Sequence, residues 1–178
     1  MPSFALAAIG RDRPGIVAAV AEVLYERGCN VEDSSMTLLR GNFSIMLVLA
    51  APEGLTAEGL AEALRPVCGE LGLTYAVLEV DERPEVAHPS HILTVYGADR
   101  PGILLGVTRA LAQAGVNITD LNSRLVGAER PVYALMLELA LPPELPAAGL
   151  EERLRALASE LGVELTLREL SDVLEALV

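Results

Sequence analysis

The sequence predicts an α+β protein built from two consecutive units, each with the order β-α-β-β-α-β and an antiparallel sheet covered by helices on one face. Two observations support this prediction. A segment of about 80 residues occurs twice, and the apolar spacing alternates between strand and helix periods in the same order in both copies. The chain of 178 residues is long enough for two small domains.

The repeat is clearest in GRDRPGI (10–16) and GADRPGI (97–103), which lie 87 residues apart. After a three-residue insertion near 127–131 the offset becomes 90, so that FSIMLVLA (43–50) aligns with YALMLELA (133–140). Between the copies, DERPEVAHPS has two prolines and no apolar period, which is typical of a linker. We therefore predict a first domain at 1–82, a linker at 83–89 and a second domain at 90–178.

Local signals place the elements of the first unit. The apolar run SFALAAI predicts the first strand. Pro14 lies where a helix tolerates a missing N–H, and Gly28 suits a left-handed stop at the end of that helix. Arg40, Gly41 and Asn42 form a tight turn between two strands. The predicted elements are a strand at 3–9, a helix from Pro14 to Arg27, strands at 30–40 and 43–51, a helix with apolar residues Leu60, Ala63, Leu64, Val67 and Leu71, and a strand at 73–80.

The second unit repeats these signals, and its elements follow from the alignment. The combined order in each unit is a split-βαβ, ferredoxin-like arrangement. A short tail at 171–178 predicts one or two further helical turns. The predicted elements are a strand at 91–97, a helix at 101–114, strands at 117–126 and 132–140, a helix at 147–161 and a strand at 163–169.

One strand is apolar on both of its faces. If both helices cover one face of the sheet, the other face should be polar. In FSIMLVLA, however, Met46 and Val48 are apolar on the face away from the helices, and Phe43, Ile45, Leu47 and Leu49 are apolar on the face toward them. We therefore expect the open sheet face to be covered by the sister unit or by another subunit, and we predict a homodimer.

The charge balance argues against direct binding of nucleic acid. All 13 basic residues are Arg, and 25 carboxylates give a net charge of −12, so no basic run is present to displace counterions from phosphates. No apolar run reaches the roughly 18 residues that cross a membrane. The N-terminus has neither a basic n-region nor a cleavage signature. We predict a cytoplasmic protein that binds neither nucleic acid nor membrane.

Signatures of catalysis and metal binding are absent from the sequence. Without Lys there is no GxxxxGK[ST] phosphate loop, and neither GxGxxG nor GxSxG occurs. Cys29 and Cys68 are isolated, which argues against a disulfide framework or a zinc site. We interpret His88 and His91, in or beside the linker, as surface residues without a counterpart in the first unit; metal coordination with nearby acids is the alternative. We predict no enzyme activity, no catalytic residue and no metal site.

The repeated GxDRPG loop joins the first strand to the first helix and is the strongest candidate for a binding site. Backbone N–H groups at the helix start favour an anion there, and Gly15 lets a ligand approach the backbone. Asp12 can accept hydrogen bonds from an ammonium group, and Asn30, at the start of the next strand, offers a donor and an acceptor. These groups suit a small zwitterion such as an amino acid. Their counterparts in the second unit are Asp99, Gly102 and Asn117.

A purely structural role for the loop stays open. Asp before Pro is a common device at helix starts, and Gly is common in turns. Duplication copies structural residues as well as functional ones, so the repeat does not decide between the two roles. Asn30 and Asn117 could equally serve the turns before their strands, and we interpret Asp33 and Asp120 as turn or surface residues.

The segments GRDRPGI…GCNVEDS and GADRPGI…GVNITDL resemble the signature of ACT domains, small regulatory modules that bind amino acids. The resemblance covers nearly the whole chain as two consecutive modules, and AIGRDRPGIV…GCNVEDSSMTLL is similar to the glycine cleavage system transcriptional repressor family. It implies a ligand at an interface between modules, held by the loop after the first strand and by the start of the second. The corresponding residues are Asp12, Arg13, Pro14, Gly15, Ile16 and Asn30, and Asp99, Arg100, Pro101, Gly102, Ile103 and Asn117.

The resemblance implies a non-enzymatic, amino-acid-sensing regulator. Glycine is then the leading effector, no other cofactor is expected, and glycine cleavage genes are the leading target, reached through a partner protein such as a transcription factor. Ligand binding would favour one packing of the modules, which the partner reads. Two alternatives are a ligand-free ACT assembly module and a trans-acting regulatory subunit of an amino-acid metabolic enzyme. Because Ala98 replaces Arg11 and the insertion lies only in the second unit, we do not expect equal occupancy of two sites.

Overall fold

The computed structural model describes residues 1–80, 87–127, 129 and 131–171, and the chain divides into two compact units. The first unit consists of β1 (Ser3–Arg11), α1 (Ile16–Glu26), β2 (Asn30–Leu39), β3 (Asn42–Ala50), α2 (Ala57–Leu71) and β4 (Thr74–Val80). The second unit consists of β5 (His91–Ala98), α3 (Ile103–Gln113), β6 (Asn117–Val126), β7 (Val132–Ala140), α4 (Ala147–Leu161) and β8 (Val163–Glu169). Both units therefore have the element order that the repeat predicted.

Each unit contains one four-stranded sheet. The strand order is β2-β3-β1-β4 in the first unit and β6-β7-β5-β8 in the second. All the strand pairs are antiparallel. The register shifts between Val31 and Asp33, and in the same way between Ile118 and Asp120. The α+β class, with two tandem ferredoxin-like units, is confirmed.

The first helix of each unit begins later than the sequence predicted. α1 starts at Ile16 and not at Pro14, because Gly15 precedes it with φ 93°, in the left-handed region. Gly102 precedes α3 in the same way with φ 99°. A residue with a Cβ is strained in this conformation, so the glycine ends the loop and the helix follows it.

The predicted domain boundaries and linker stay predictions. Residues 81–86, between the last strand of the first unit and the first strand of the second, lie outside the described ranges. The helical turns predicted at 171–178 also lie outside them from residue 172 onward. None of the described helices is both long and apolar enough to cross a membrane.

The two helices of each unit pack against the same face of its sheet. In β1 the side chains of Phe4, Leu6 and Ala8 are buried on this face. They contact apolar residues of both helices, namely Ile16, Val20 and Leu24 of α1 and Leu60, Leu64 and Cys68 of α2. Each buried aliphatic side chain contributes about 1.5–3 kcal/mol relative to its exposed state. The corresponding positions of the second unit form its core.

The opposite face of each sheet carries exposed apolar side chains. On the first sheet Ile9 is 53% exposed and Met46 is 56% exposed. On the second sheet Tyr96 is 49% exposed and Met136 is 42% exposed. No described element of the same unit covers these side chains, so the open apolar face expected from FSIMLVLA is present.

His91 is the first residue of the strand predicted at 91–97, just after the linker, and it is half-buried and not fully exposed. It begins β5, where it pairs with Leu139. The offset of 87 residues equates it with Phe4 of the first core, so the first unit has no histidine at this position. Its Nδ1 lies 2.9 Å from Ser90 Oγ, whereas its Nε2 is buried without a hydrogen-bond partner. His88, by contrast, is exposed as expected.

Candidate functional site

The loop between β1 and α1 presents the start of α1 to solvent. Asp12, Arg13, Pro14 and Gly15 are all exposed. Hydrogen bonding within the helix begins at the Ala19 N–H, which donates to the Gly15 carbonyl at 2.9 Å. The N–H groups of the three residues between Gly15 and Ala19 have no acceptor among the described residues. Unpaired donors at the positive end of the helix dipole favour an anion at this point.

The loop between β5 and α3 has the same geometry. Asp99, Arg100, Pro101 and Gly102 are exposed. The first helical hydrogen bond runs from the Gly106 N–H to the Gly102 carbonyl at 2.8 Å. Both units therefore present a helix start with free donors, as the repeated sequence predicted.

The Asp12 carboxylate does not cap α1. The Asp12 backbone N–H donates to the Gly41 carbonyl at 3.0 Å, which holds the loop against the turn between β2 and β3. Neither α1 nor α3 has a side-chain hydrogen bond at its N-cap. The exposed carboxylates of Asp12 and Asp99 form no hydrogen bond or ion pair with any described residue. The structure therefore does not support the alternative in which this aspartate caps the start of the helix.

The predicted ligand residues Arg13 and Arg100 point toward the ends of the second helices. Arg13 Nη2 donates to the Glu70 carbonyl at 2.9 Å, in the last turn of α2. Carbonyls at this end have no partner within the helix, and a cation there also offsets the helix dipole. Arg100 Nη2 lies 3.5 Å from the position that a Cβ on Gly162, the C-cap of α4, would occupy. Arg13 is therefore engaged by the protein, a contact that nothing in the local sequence indicated.

Ile16 and Ile103 belong to the cores of their units. Each is only 2% exposed, and each packs among the buried side chains below its helix. These residues fix the helix start against the sheet. Their side chains are not available to a ligand at the surface.

Asn30 does not lie near the loop of its own unit. Asn30 pairs with Ala50, and Ala50 pairs with Ser3 at the start of β1, whereas Asp12 follows the end of β1. At about 3.3 Å per strand residue, Asn30 and Asp12 are about 30 Å apart. Asn117 is placed in the same way in the second unit. Asn30 follows the C-terminal end of α1, whereas the loop precedes the N-terminal end of that helix.

The other polar residues singled out in the sequence make local contacts. Asp33 Oδ1 accepts a hydrogen bond from the Ser34 N–H at 2.7 Å. Asp120 Oδ2 accepts one from Asn122 Nδ2 at 2.6 Å. Both aspartates are exposed strand residues, so they belong to the surface and not to turns.

The candidate site contains donors and a carboxylate but no reactive thiol. Burial raises the pKa of the Cys29 and Cys68 thiols, which keeps both protonated at neutral pH. Within the described ranges, no group of three or more His, Cys, Asp or Glu side chains is placed to hold a metal ion. The N–H groups of the loop and the Asp12 carboxylate can form hydrogen bonds with a small polar molecule.

A second group of residues was missed by the sequence analysis. On the open face of the second sheet, Tyr96, Met136, Arg124 and Arg168 line two adjoining hollows of about 410 and 360 Å³. A strand-by-strand comparison of the two units would have indicated them, because the aligned positions of the first unit carry no arginine.

Comparison with known proteins finds the same family in both halves of the chain. The model of the ACT domain family matches residues 4–77 and 91–168, which correspond to the two units. Among curated proteins, the glycine cleavage system transcriptional repressor of Escherichia coli (strain K12) is 30% identical over 164 residues, covering 89% of this chain and 85% of that protein.

Two solved structures have a similar fold over nearly the whole chain. An unknown protein from Galdieria sulphuraria is 26% identical with a TM-score of 0.81, covering 95% of this chain and 98% of that one. A structure provisionally described as a glycine cleavage system transcriptional repressor is 18% identical with a TM-score of 0.70, covering 95% and 97%. At that identity the second likeness concerns the fold alone.

Proposed function

Because the chain belongs to the ACT domain family, with one ACT domain in each unit, we propose that it is a non-enzymatic regulator that senses a small amino acid. The observation that supports this most directly is the loop between β1 and α1. There an exposed helix start with unpaired N–H groups lies next to the exposed Asp12 carboxylate, which has no partner among the described residues. The loop at Asp99 offers the same pair of groups.

The two groups complement the two charges of an amino acid. The ligand α-carboxylate would accept hydrogen bonds from the N–H groups that begin α1, where the helix dipole favours negative charge. The ligand ammonium group would donate to the Asp12 carboxylate. Arg13 would keep the loop in place through the Glu70 carbonyl and would not touch the ligand.

A complete site needs a second ACT domain, because Asn30 and Asp12 lie at opposite ends of one sheet. β2 is an edge strand, and all ten of its residues are exposed. An edge strand can pair with another strand through its free N–H and C=O groups. Antiparallel pairing of two β2 edges would bring Asn30 of one domain to the loop end of the other. Ligand binding would then be linked to assembly, and a partner could read the favoured packing.

Glycine is the proposed effector, on the basis of the relationship to the Escherichia coli repressor. Glycine has about five heavy atoms, so a ceiling of about 1.5 kcal/mol per atom limits its binding free energy to about 7–8 kcal/mol. The Kd is then no tighter than the low micromolar range, which suits the sensing of a metabolite.

The proposal extends to regulation of glycine cleavage genes through a protein partner such as a transcription factor. The net charge of −12 supports contact with a protein over contact with the phosphates of DNA. A role in transcription also implies a cytoplasmic location.

Isothermal titration calorimetry of the full chain tests this function. Glycine, serine, alanine and the branched amino acids are titrated into the wild type and into Asp12→Ala, Asn30→Ala, Asp99→Ala and Asn117→Ala. We expect saturable binding that Asp12→Ala weakens at least about tenfold through loss of a charge-assisted hydrogen bond. Glu22→Ala, an exposed carboxylate on α1, is the matched control. The absence of heat with every amino acid at millimolar concentration would refute amino-acid sensing.

A ligand-free assembly module is the second candidate, and the exposed β2 supports it. This edge strand carries apolar Val31, Met36 and Leu38 on the helix side of the sheet, and all three are exposed. Reversible self-association without any calorimetric response to amino acids would favour this candidate. Association that strengthens when glycine is added would favour the sensor.

A further inference from the structure

The open face of the second sheet carries a charge pattern that the first sheet lacks. Cross-strand pairing arranges its side chains in rows across β6, β7, β5 and β8. One row runs from Asp120 to Arg168, and another runs from Arg124 to Glu164. The row between them is uncharged and contains Met136.

Opposite charges therefore occupy neighbouring corners of this face. On β6, negative Asp120, with Glu138 beside it on β7, is followed by positive Arg124. On β8 the order along the face is reversed, with positive Arg168 level with Asp120 and negative Glu164 level with Arg124. None of these five groups forms an ion pair with a described residue, although Asp120 accepts a hydrogen bond from Asn122.

The pattern is specific to the second unit. The positions of the first unit that align with Arg124, Glu138, Glu164 and Arg168 are uncharged, namely Thr37, Val48, Thr74 and Leu78. Only Asp120 has a charged counterpart, Asp33. Because the first unit has the same fold without four of these charges, the fold does not require them.

We propose that this face binds the same face of a second copy of the chain, about a two-fold axis that lies in the plane of the interface. If the axis runs along the strands, Arg124 meets Glu164 and Arg168 meets Asp120. If the axis runs across the strands, Arg124 meets Asp120 and Arg168 meets Glu164. Every corner meets an opposite charge in both cases, which is the self-complementarity that an isologous interface requires.

A second copy is the occupant that this pattern selects. Two chains that each carry a net charge of −12 repel one another, so a contact between them needs a face where the charges match locally. The alternating corners provide this match, and a partner of uniformly positive or negative charge would meet like charges at two corners. Packed sheets keep their strands within about 30° of each other, so the corners can stay in register.

The shape of the face is also compatible with self-association. Tyr96 and Met136 line both hollows. In a two-fold contact these side chains of each copy can enter a hollow of the other. Four strands at about 4.8 Å spacing and about eight residues of length give roughly 500 Å² per copy. The total of roughly 1,000 Å² reaches the lower limit for a specific protein–protein interface.

Sedimentation equilibrium of the full chain tests the interface. We expect Arg124→Glu to weaken self-association about a hundredfold, because the two-fold axis places a like-charge contact at two symmetry-related points. A compensating second substitution should restore it: Glu164→Arg if the axis runs along the strands, or Asp120→Arg if it runs across them. Restoration by Glu164→Arg cannot arise from pairing of two β6 edges, since β8 lies at the other edge of the sheet.

Met136→Glu and Met46→Glu form a matched pair at aligned positions on the two open faces. In the absence of amino acid, we expect Met136→Glu to abolish the association and Met46→Glu to leave it unchanged, with thermal unfolding measured for both variants. The assignment is overturned if the wild type is monomeric, if Met46→Glu weakens association as much as Met136→Glu, or if neither charge swap restores it. None of these readouts depends on amino-acid binding, so the proposed function can fail while this interface stands.

Discussion

His91 occupies the position in β5 that Phe4 fills in β1, but with an unpaired polar atom. Burying a nitrogen without a hydrogen-bond partner costs about 1–3 kcal/mol, and Nε2 of His91 is such an atom. We expect His91→Phe to raise the free energy of unfolding of the second unit by about 1 kcal/mol. Urea denaturation followed by circular dichroism measures the change.

The exposed His88 provides the control for this substitution. His88→Phe should change the free energy of unfolding by less than about 0.5 kcal/mol, as most surface substitutions do. If His91→Phe lowered the stability, the histidine ring would have a stabilising polar interaction that phenylalanine cannot form.

Substitution of Arg13 should change the stability of the first unit but not its affinity for the ligand. Its hydrogen bond to the Glu70 carbonyl holds the end of α2, so Arg13→Met should lower the stability of the first unit by about 0.5–1 kcal/mol. The affinity for the amino acid, measured by calorimetry, should change less than about twofold, since no ligand contact is lost. Arg11→Met, at an exposed neighbouring position, is the control. A large loss of affinity at unchanged stability would return Arg13 to the binding site.

At the scale of elements, Gly97 marks the point where β5 passes closest to the start of β8. A Cβ on Gly97 would lie 2.6 Å from Val163 Cγ1 and 3.1 Å from Val163 Cβ. Val163 branches at Cβ, so its side chain cannot rotate away from a Cβ on Gly97, and one of the two strands must shift. We expect Gly97→Ala to destabilise the second unit by about 1–3 kcal/mol in urea denaturation.

The opposite result is expected for a glycine with free space. A Cβ on Gly149, in α4, would meet nothing within 4 Å. Gly149→Ala should therefore stabilise the same unit by about 0.5–1 kcal/mol, through the better helix propensity of alanine. Equal effects of the two substitutions would contradict the close approach at Gly97.

The order of elements could be predicted from the sequence because helix and strand periods are local signals that occur twice. The start of α1 was misplaced by two residues, since Pro14 is an equally good first helical residue and the left-handed backbone of Gly15 decides between the two. The separation of Asn30 from Asp12 depends on strand pairing, which periodicity does not contain. The contact from Arg13 to Glu70 joins residues that are 57 apart in the chain, so no local sequence pattern indicates it.

At the scale of the whole molecule, the loops before the first helices of the two units are alike, whereas the charged residues on the open sheet faces differ. The exposed helix starts at Gly15 and Gly102 have the same backbone geometry. The open faces differ in four of five charged positions. A single fold can therefore combine the proposed binding loop, present in both units, with the proposed contact surface of one unit, because the two involve different residues.

Both cysteines of the chain lie in the first unit, which makes thiol labelling a reporter of that unit alone. Cys68 is 1% exposed, and burial raises the pKa of its thiol, so alkylation of the native state should be slow. In a Cys29→Ser background, labelling of Cys68 across a urea series gives the unfolding midpoint of the first unit. Circular dichroism follows both units together.

Because each unit has its own core, a core truncation should be felt only in the unit that contains it. Leu135→Ala, in β7, should lower the stability of the second unit by about 2–5 kcal/mol and shift the circular dichroism transition, while the labelling midpoint of Cys68 stays constant. Leu6→Ala, in β1, should shift that midpoint to lower urea. If Leu135→Ala moved the labelling midpoint as far as Leu6→Ala does, the two cores would unfold as one cooperative system. A change in the stability of one unit would then change the stability of the other.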